Sequence, residues 1–429
     1  MRTCVVLVDG QHYPAVVERA LASLRTQGDV PRAAVFLGGS EKTETPPDLG
    51  IPVEIGAAGA LRRVLAAHPC DVVIDLSDEP VLDNRRRFEL IAVALMSGVG
   101  YEGAGYRLNP PPRPPLTSLP TAEVTGTGKR TGKTAVAIEL ARHWASQGRR
   151  PCIVTMGRGG PAEPVLLRAG TFTPTPDGLM ALAEAGLHAA SDYIEDAVFA
   201  GVDTVGTFRC GAGLTGQTDW HNFAAGMDVA RSTSADMLIL EGSGTALPPC
   251  AVDSSLLVVS PDIAPEYLAG YLGPYRLALA DVVVVVGGSD VYAATGRLLP
   301  VIRSVRPDVP VFVGAYVPEP SLPVSGRRVL AATTAPLGAA DDISAQLRTM
   351  GAHAVEVVHT LSDRAALRRD LTDAEASAAV DVVLVEVKAA AIDIVVPWAR
   401  GLDLEVGFLH NRVDVAGGIE AMATLMTGG

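Results

Sequence analysis

The sequence predicts an α/β protein of the doubly wound type with mainly parallel sheets. Two features of the 429-residue chain carry this reading. Short apolar, β-branched runs alternate with amphipathic stretches almost throughout, the pattern of parallel strands buried on both faces between helices. Abundant glycine and alanine suit close packing of helix on sheet. Strands are expected at residues 4–8, 33–37, 72–75, 152–156, 204–208 and 237–240. More are expected at 256–259, 282–286, 311–313, 355–358, 380–385 and 405–408.

The chain exceeds a typical single domain, and proline marks where it divides. Asn109-Pro110-Pro111-Pro112-Arg113-Pro114-Pro115, continuing to Pro120, cannot extend a helix or a central strand. A weaker Pro/Gly cluster spans 318–325. The expected units are an N-terminal Rossmann-like α/β domain at 1–118, a core at 119–320 and a C-terminal α/β unit at 321–429, able to pack with the core.

Composition narrows the function. A formal charge of −13 argues against a general nucleic-acid binder, yet leaves room for a small anionic substrate in a local Arg/Lys pocket. The five cysteines form no C-x-x-C pair and read as reduced thiols. With no signal peptide and no run able to span a bilayer, a cytoplasmic protein free of membrane is expected. No H-E-x-x-H or Cys/His cluster suggests zinc, and no G-x-S-x-G elbow suggests a hydrolase.

The chemistry concentrates at Gly126-Thr127-Gly128-Lys129-Arg130-Thr131-Gly132-Lys133-Thr134. A β-type run ends at Gly126 and a helical pattern runs from Lys133 to Gln147, stopped by Gly148. Strand, glycine-rich loop and helix start are the context of a phosphate-binding loop, in which backbone N–H groups and the helix dipole face an anion. Gly126 through Thr134 would therefore bind ATP, with Lys133 on the outer phosphates and Thr134 on Mg²⁺. The core is thus expected to be a P-loop NTPase fold. Thr127 stands where the first glycine is usual, and Gly126 supplies it one residue early.

Met237-Leu238-Ile239-Leu240-Glu241 ends an apolar strand in a carboxylate at the sheet edge on which the loop opens, so Glu241 is a second candidate for Mg²⁺. Asp192, Glu195 and Asp196 lie in an acid-rich stretch starting at His188. One of them could complete the metal shell, with Asp192 the choice, although a helix N-cap is the plainer reading of that residue. Arg158 in Gly157-Arg158-Gly159-Gly160, Arg209 after the 204–208 strand, and Lys388 after the 380–385 strand are candidate phosphate-facing cations. Asp9-Gly10-Gln11-His12-Tyr13 and Ser77-Asp78-Glu79-Pro80 also follow strands, while Arg85-Arg86-Arg87 reads as a solvated run. Gly287-Gly288-Ser289-Asp290 keeps the Asp of a guanine-specifying motif but lacks its Asn and Lys, which favours ATP.

These residues carry a resemblance. Gly126-Thr127 with Gly132-Lys133-Thr134, and Leu240-Glu241-Gly242-Ser243-Gly244, resemble dethiobiotin synthetase and the cobyrinic acid synthases, which phosphorylate a carboxylate. Val8-Asp9-Gly10-Gln11-His12-Tyr13-Pro14, residues 75–80, Met156–Pro161, His188–Asp196 and Glu386–Asp393 extend the likeness over nearly the whole chain to the cyclic 2,3-diphosphoglycerate synthetases. That resemblance implies an ATP-dependent ligase that closes 2,3-bisphosphoglycerate into an internal phosphoanhydride, releasing ADP and phosphate. On this reading Lys133, Glu241, Arg158, Arg209 and Lys388 are the catalytic candidates, and Thr134, Glu241 and Asp192 the candidate metal ligands. ATP and Mg²⁺ are the expected cofactors, with K⁺ and a homodimer left open. The alternatives are a carboxylate-activating ligase of the dethiobiotin or cobyrinate kind and a nucleotide-dependent switch protein.

Overall fold

The computed structural model describes residues 1–429 apart from 173, 187–190, 336, 378–379, 390 and 427–429, with backbone alone at 375–377. His188, the first residue of the acid-rich stretch, and Ala390, within the 386–393 segment, lie outside the described residues.

The N-terminal residues form a six-stranded sheet in the order Val53–Ile55, Asp29–Phe36, Arg2–Val8, Val72–Asp75, Gly100–Gly103, Tyr106–Leu108. All pairings are parallel except the last. Cys4 through Val8 are fully buried because helices cover both faces. Arg87 departs from the solvated run expected for Arg85–Arg87. Its guanidinium turns inward and donates to Asp75 Oδ2 at 2.9 Å, because a buried strand-end carboxylate needs a partner.

The second sheet has 13 strands. Its central part runs Asp203–Cys210, Pro151–Gly157, Met237–Glu241, Thr121–Gly126, Ser254–Val259, Val282–Gly287 and Val311–Pro320, all parallel. Val282 to Val286 are at most 1% exposed, which explains five consecutive valines: each alternate side chain meets a helix layer. The architecture is α/β with large, mainly parallel sheets, as the alternation of runs predicts.

Two strands outrun their expected lengths by the most. Val311–Pro320 continues through Pro318 because past Ala315 it has left its neighbour Val282–Gly287 and pairs only with Glu405–Val415, so the ring nitrogens face an unpaired side. Glu405–Val415 is one strand serving two partners. Its first half runs parallel to Val382–Val385, and its second half runs antiparallel to Val311–Pro320. This arrangement fuses the C-terminal strands to the core sheet and inverts them relative to it. The carboxyl ends of the Val382–Val385 and Arg328–Ala332 strands therefore face the carboxyl ends of the core strands.

Candidate active site

The helix Lys133–Ser146 starts at Gly132, whose φ of +94° is open chiefly to glycine. A Cβ at Gly126 would lie 2.5 Å from Thr131 Oγ1 and 3.0 Å from Lys133 Cγ. The early glycine of the motif thus exists so that the lysine stem can lie across the strand end. Lys133 Nζ donates to the Gly128 carbonyl at 2.7 Å. Burial lowers its pKa to about 8 against the opposing pull of Glu241 and Asp192. Lys129 and Arg130 are exposed on the loop.

Glu241 ends its strand 2% exposed and accepts a hydrogen bond from Thr134 Oγ1 at 2.6 Å. Burial, and then Asp192, push its pKa up to about 7. Asp192 opens the helix Asp192–Ala200, but the N-cap is Ser191, so the plain capping role does not fall to Asp192. Asp196, one turn on, accepts from Thr155 Oγ1 at 2.6 Å and is pushed well above the carboxylate range by burial and by Glu241. Glu195 lies 3.2 Å from Lys388 Nζ; burial raises its pKa to about 8 while Lys388 opposes.

Glu241 Oε2, Asp196 Oδ1 and Glu195 Oε2 are each shielded from solvent without a hydrogen-bond partner among the described residues. Buried carboxylate oxygens of this kind suit a hard divalent cation. Among the described residues no three acidic, His or Cys side chains close into a cage. Mg²⁺ commonly takes one or two carboxylates and completes its shell with substrate phosphates and water.

Cations face these acids. Burial works against the charge on Lys388, yet Glu195 and Glu386 hold its pKa well above the ordinary value. Glu386 is itself fixed by Thr334 N at 2.9 Å and Asn411 Nδ2 at 2.6 Å. Arg209, 5% exposed, donates to the carbonyls of Ser243 at 2.6 Å and Gly211 at 2.9 Å. Burial and the charge of Arg158 depress its pKa. Both guanidiniums converge on Gly244, where a Cβ would lie 2.5 Å from Arg158 Nη2 and 3.2 Å from Arg209 Nη2. Among the described residues neither is in an ion pair, so two like charges share one space, as at a site for a multiply charged anion.

The structure thus brings Lys133, Thr134, Glu241, Asp192, Arg158, Arg209 and Lys388 to one cleft between opposed strand ends. Of three further neighbours, Thr155 and Tyr316 carry no sequence signal as site residues, and Asp196 is one of three acids the sequence offers for the metal shell without distinguishing among them. Thr155 sits inside an ordinary strand. Asp196 has a helical spacing that does not reveal its inward direction. Tyr316 packs its hydroxyl against Gly132 from a strand 184 residues downstream in sequence (316 − 132). Asp9 and His12 instead pair at 2.7 Å on the N-terminal sheet.

A parallel sheet whose strand-end carboxylate bonds the threonine of a Gly-Lys-Thr loop defines a nucleotide-binding P-loop protein. Three family profiles match in series, described as the N-terminal domain, P-loop domain and C-terminal domain of cyclic 2,3-diphosphoglycerate synthetase, over residues 3–109, 121–314 and 320–412. The chain is 41% identical to cyclic 2,3-diphosphoglycerate synthetase of Rubrobacter xylanophilus, over 92% of this chain and 90% of the relative. It is 40% identical to that of Thermococcus onnurineus, over 95% and 94%, and 35% identical to that of Methanothermus fervidus, over 95% and 92%. The chain belongs to the cyclic 2,3-diphosphoglycerate synthetase family.

Proposed function

We propose that this chain is an ATP-dependent ligase that closes 2,3-bisphosphoglycerate into its cyclic phosphoanhydride. The observation that carries the reading is the convergence of four cations, Lys133, Lys388, Arg158 and Arg209, beside the Thr134–Glu241 pair. Neither Arg158 nor Arg209 is in an ion pair among the described residues, and Asp192 is the carboxylate whose charge reaches Arg209. An enzyme that must press two phosphates together needs such a surplus, whereas a carboxylate-activating ligase needs less.

Backbone amides of Gly126–Thr134 hold the ATP phosphates, and Lys133 stabilises charge on the β/γ bridge. An oxygen of one substrate phosphate attacks the γ-phosphorus, and the bond to ADP breaks. An oxygen of the other substrate phosphate then attacks the first substrate phosphorus, forming the P–O–P ring bond as the newly added phosphoryl leaves as inorganic phosphate. Arg158, Arg209 and Lys388 hold the two substrate phosphates within reach of each other. Ring closure is intramolecular, so positioning alone can remove up to ~7–11 kcal/mol of barrier. Thr134, Glu241 and Asp192 are the residues to hold Mg²⁺, with Asp196 adjoining. The ion would neutralise charge on the β- and γ-phosphates.

The test is phosphorus NMR of purified protein with ATP, Mg²⁺ and 2,3-bisphosphoglycerate. Upfield cyclic-anhydride resonances appearing with ADP and phosphate are the expected result. No such product, together with turnover of a diamino or carboxylic acid acceptor, would transfer the assignment to the dethiobiotin or cobyrinate kind.

A further inference from the structure

Arg276, on the segment Gly273–Leu279, lines a cavity of about 540 Å³ with Thr127, Ile263, Tyr267, Tyr271 and Leu272, and the exposed Asp262 stands among its lining residues. Its Nη1 is shielded from solvent and has no hydrogen-bond partner among the described residues. Burial depresses its pKa, which records the cost of holding this charge out of water. Glu123 is the carboxylate whose charge reaches it, but that group is already committed. It accepts from both Arg113 Nη atoms and from Ser255 Oγ at 2.7 Å. A guanidinium nitrogen shielded from water without an acceptor is costly, and an anionic ligand removes the cost.

The surroundings are arranged for that guanidinium. A Cβ at Gly216, φ +88°, would come 3.2 Å from Arg276 Nη2 and 2.8 Å from Leu247 Cγ, so glycine keeps the turn clear of it. Leu272 and Tyr275 pack into the hydrophobic core of the N-terminal sheet. The Phe88 ring lies 5.5 Å from that of Tyr271, whose φ is +50°. The cavity wall is therefore held by the N-terminal unit, while Thr127 places the cavity against the phosphate loop. Its size falls in the range of small-molecule sites at domain junctions.

We infer that this cavity is the acceptor's carboxylate subsite and that Arg276 binds the carboxylate. The inference rests on the reading of the site given above and deepens it. The substrate carries three anionic groups. Its two phosphates must approach each other and find their cations at Arg158, Arg209 and Lys388. The carboxylate takes no part in ring closure and has to be held apart from that cluster. A single planar guanidinium among tyrosines and aliphatic side chains, with Asp262 out at the exposed part of the lining, matches a carboxylate bidentately. One negative charge is also far less costly to bring into such a wall than a phosphate dianion.

The experiment measures steady-state kinetics of the full chain with Arg276→Met and Arg276→Lys. The acceptors are 2,3-bisphosphoglycerate and propane-1,2-diol bisphosphate, which replaces the carboxylate by a methyl group. Arg276→Met should raise KM for 2,3-bisphosphoglycerate by about 30-fold, the loss of a charge-assisted pair, and leave KM for ATP unchanged. It should also abolish the preference over the methyl analogue, with Arg276→Lys in between. An unchanged KM for 2,3-bisphosphoglycerate, a retained preference for the carboxylate, or an equal loss of ATP binding would overturn the inference. Wild-type protein that makes no cyclic product would instead sink the functional reading, so the two failures are distinguishable.

Discussion

Lys388 Nζ lies 3.2 Å from Glu195 Oε1, joining the loop that follows a C-terminal strand to a helix of the nucleotide-binding core. Lys388 also stands near enough to Lys133 of the phosphate loop for the two charges to oppose each other. Lys388→Ala leaves Glu195, 7% exposed, unpaired. With the lysine side chain 37% exposed, we expect a stability loss of ~1–3 kcal/mol rather than the larger cost of a fully buried pair, and a fall in turnover of about 100-fold or more. Adding Glu195→Gln should restore the melting temperature without restoring turnover. Recovery of both would reduce Lys388 to a structural partner.

Lys133→Ala should abolish ATP-dependent turnover, a loss on the order of 10³-fold or more, while circular dichroism and melting stay near wild type. The side chain's one strong contact is a loop carbonyl, so little of the fold depends on it. Near-normal rates would refute the loop's role.

Gly132→Ala forces a Cβ to within 2.5 Å of the Tyr316 hydroxyl at a φ of +94°. Strain of this kind costs ~1–3 kcal/mol, visible as a lower denaturation midpoint. Tyr316→Phe should recover only part, because it removes the oxygen and not the backbone strain. Full recovery would show that the backbone conformation costs nothing.

Stability without nucleotide or metal should fall as pH rises from about 4.5 to about 8. Glu195 and Glu241 have ordinary values of 4.5 and folded values of about 8 and about 7. Across that window the folded state holds protons that the unfolded state has released, so the slope is negative. Mg²⁺ favours the carboxylates and should flatten the dependence. Melting curves at stepped pH, with EDTA or with Mg²⁺, check this, and a Glu195→Gln/Asp196→Asn/Glu241→Gln variant should lose most of the slope. A wild-type slope of the opposite sign would disprove the assignment.

Arg158→Ala should raise KM for the acceptor by about 10-fold or more with KM for ATP little changed. The side chain is exposed and paired with no carboxylate among the described residues, so its removal should leave the melting temperature unchanged. A loss confined to ATP affinity would reassign Arg158 to the nucleotide.

Periodicity located most strands because a strand buried on both faces has to be continuously apolar, as in Val282–Val286. It missed Val53–Ile55, Gly100–Gly103, Tyr106–Leu108, Val165–Leu167 and Trp220–His221, which are short or half polar and are held by neighbours, and it missed the buried Arg328–Ala332, whose alanines carry little strand signal. Glu241 and the loop were legible because local sequence fixes both: an apolar strand ending in an acid, and glycines before a helix start. Asp196 and Glu195 were not separable from Asp192. Which of three residues on one helix turn points into a cleft depends on how that helix packs.

By itself the sequence determined the α/β class, the phosphate loop with its lysine and threonine, the strand-end glutamate and the family, because each is written in contiguous residues whose local geometry follows from their chemistry. Only the tertiary structure decided that the C-terminal strands run opposite to the core strands, delivering Lys388 to Glu195, and that Arg276 lines a cavity with its Nη1 unpartnered among the described residues. Those facts depend on Glu405–Val415 pairing with two strands far apart in the chain, and on Arg113 having already neutralised Glu123. No local pattern encodes either.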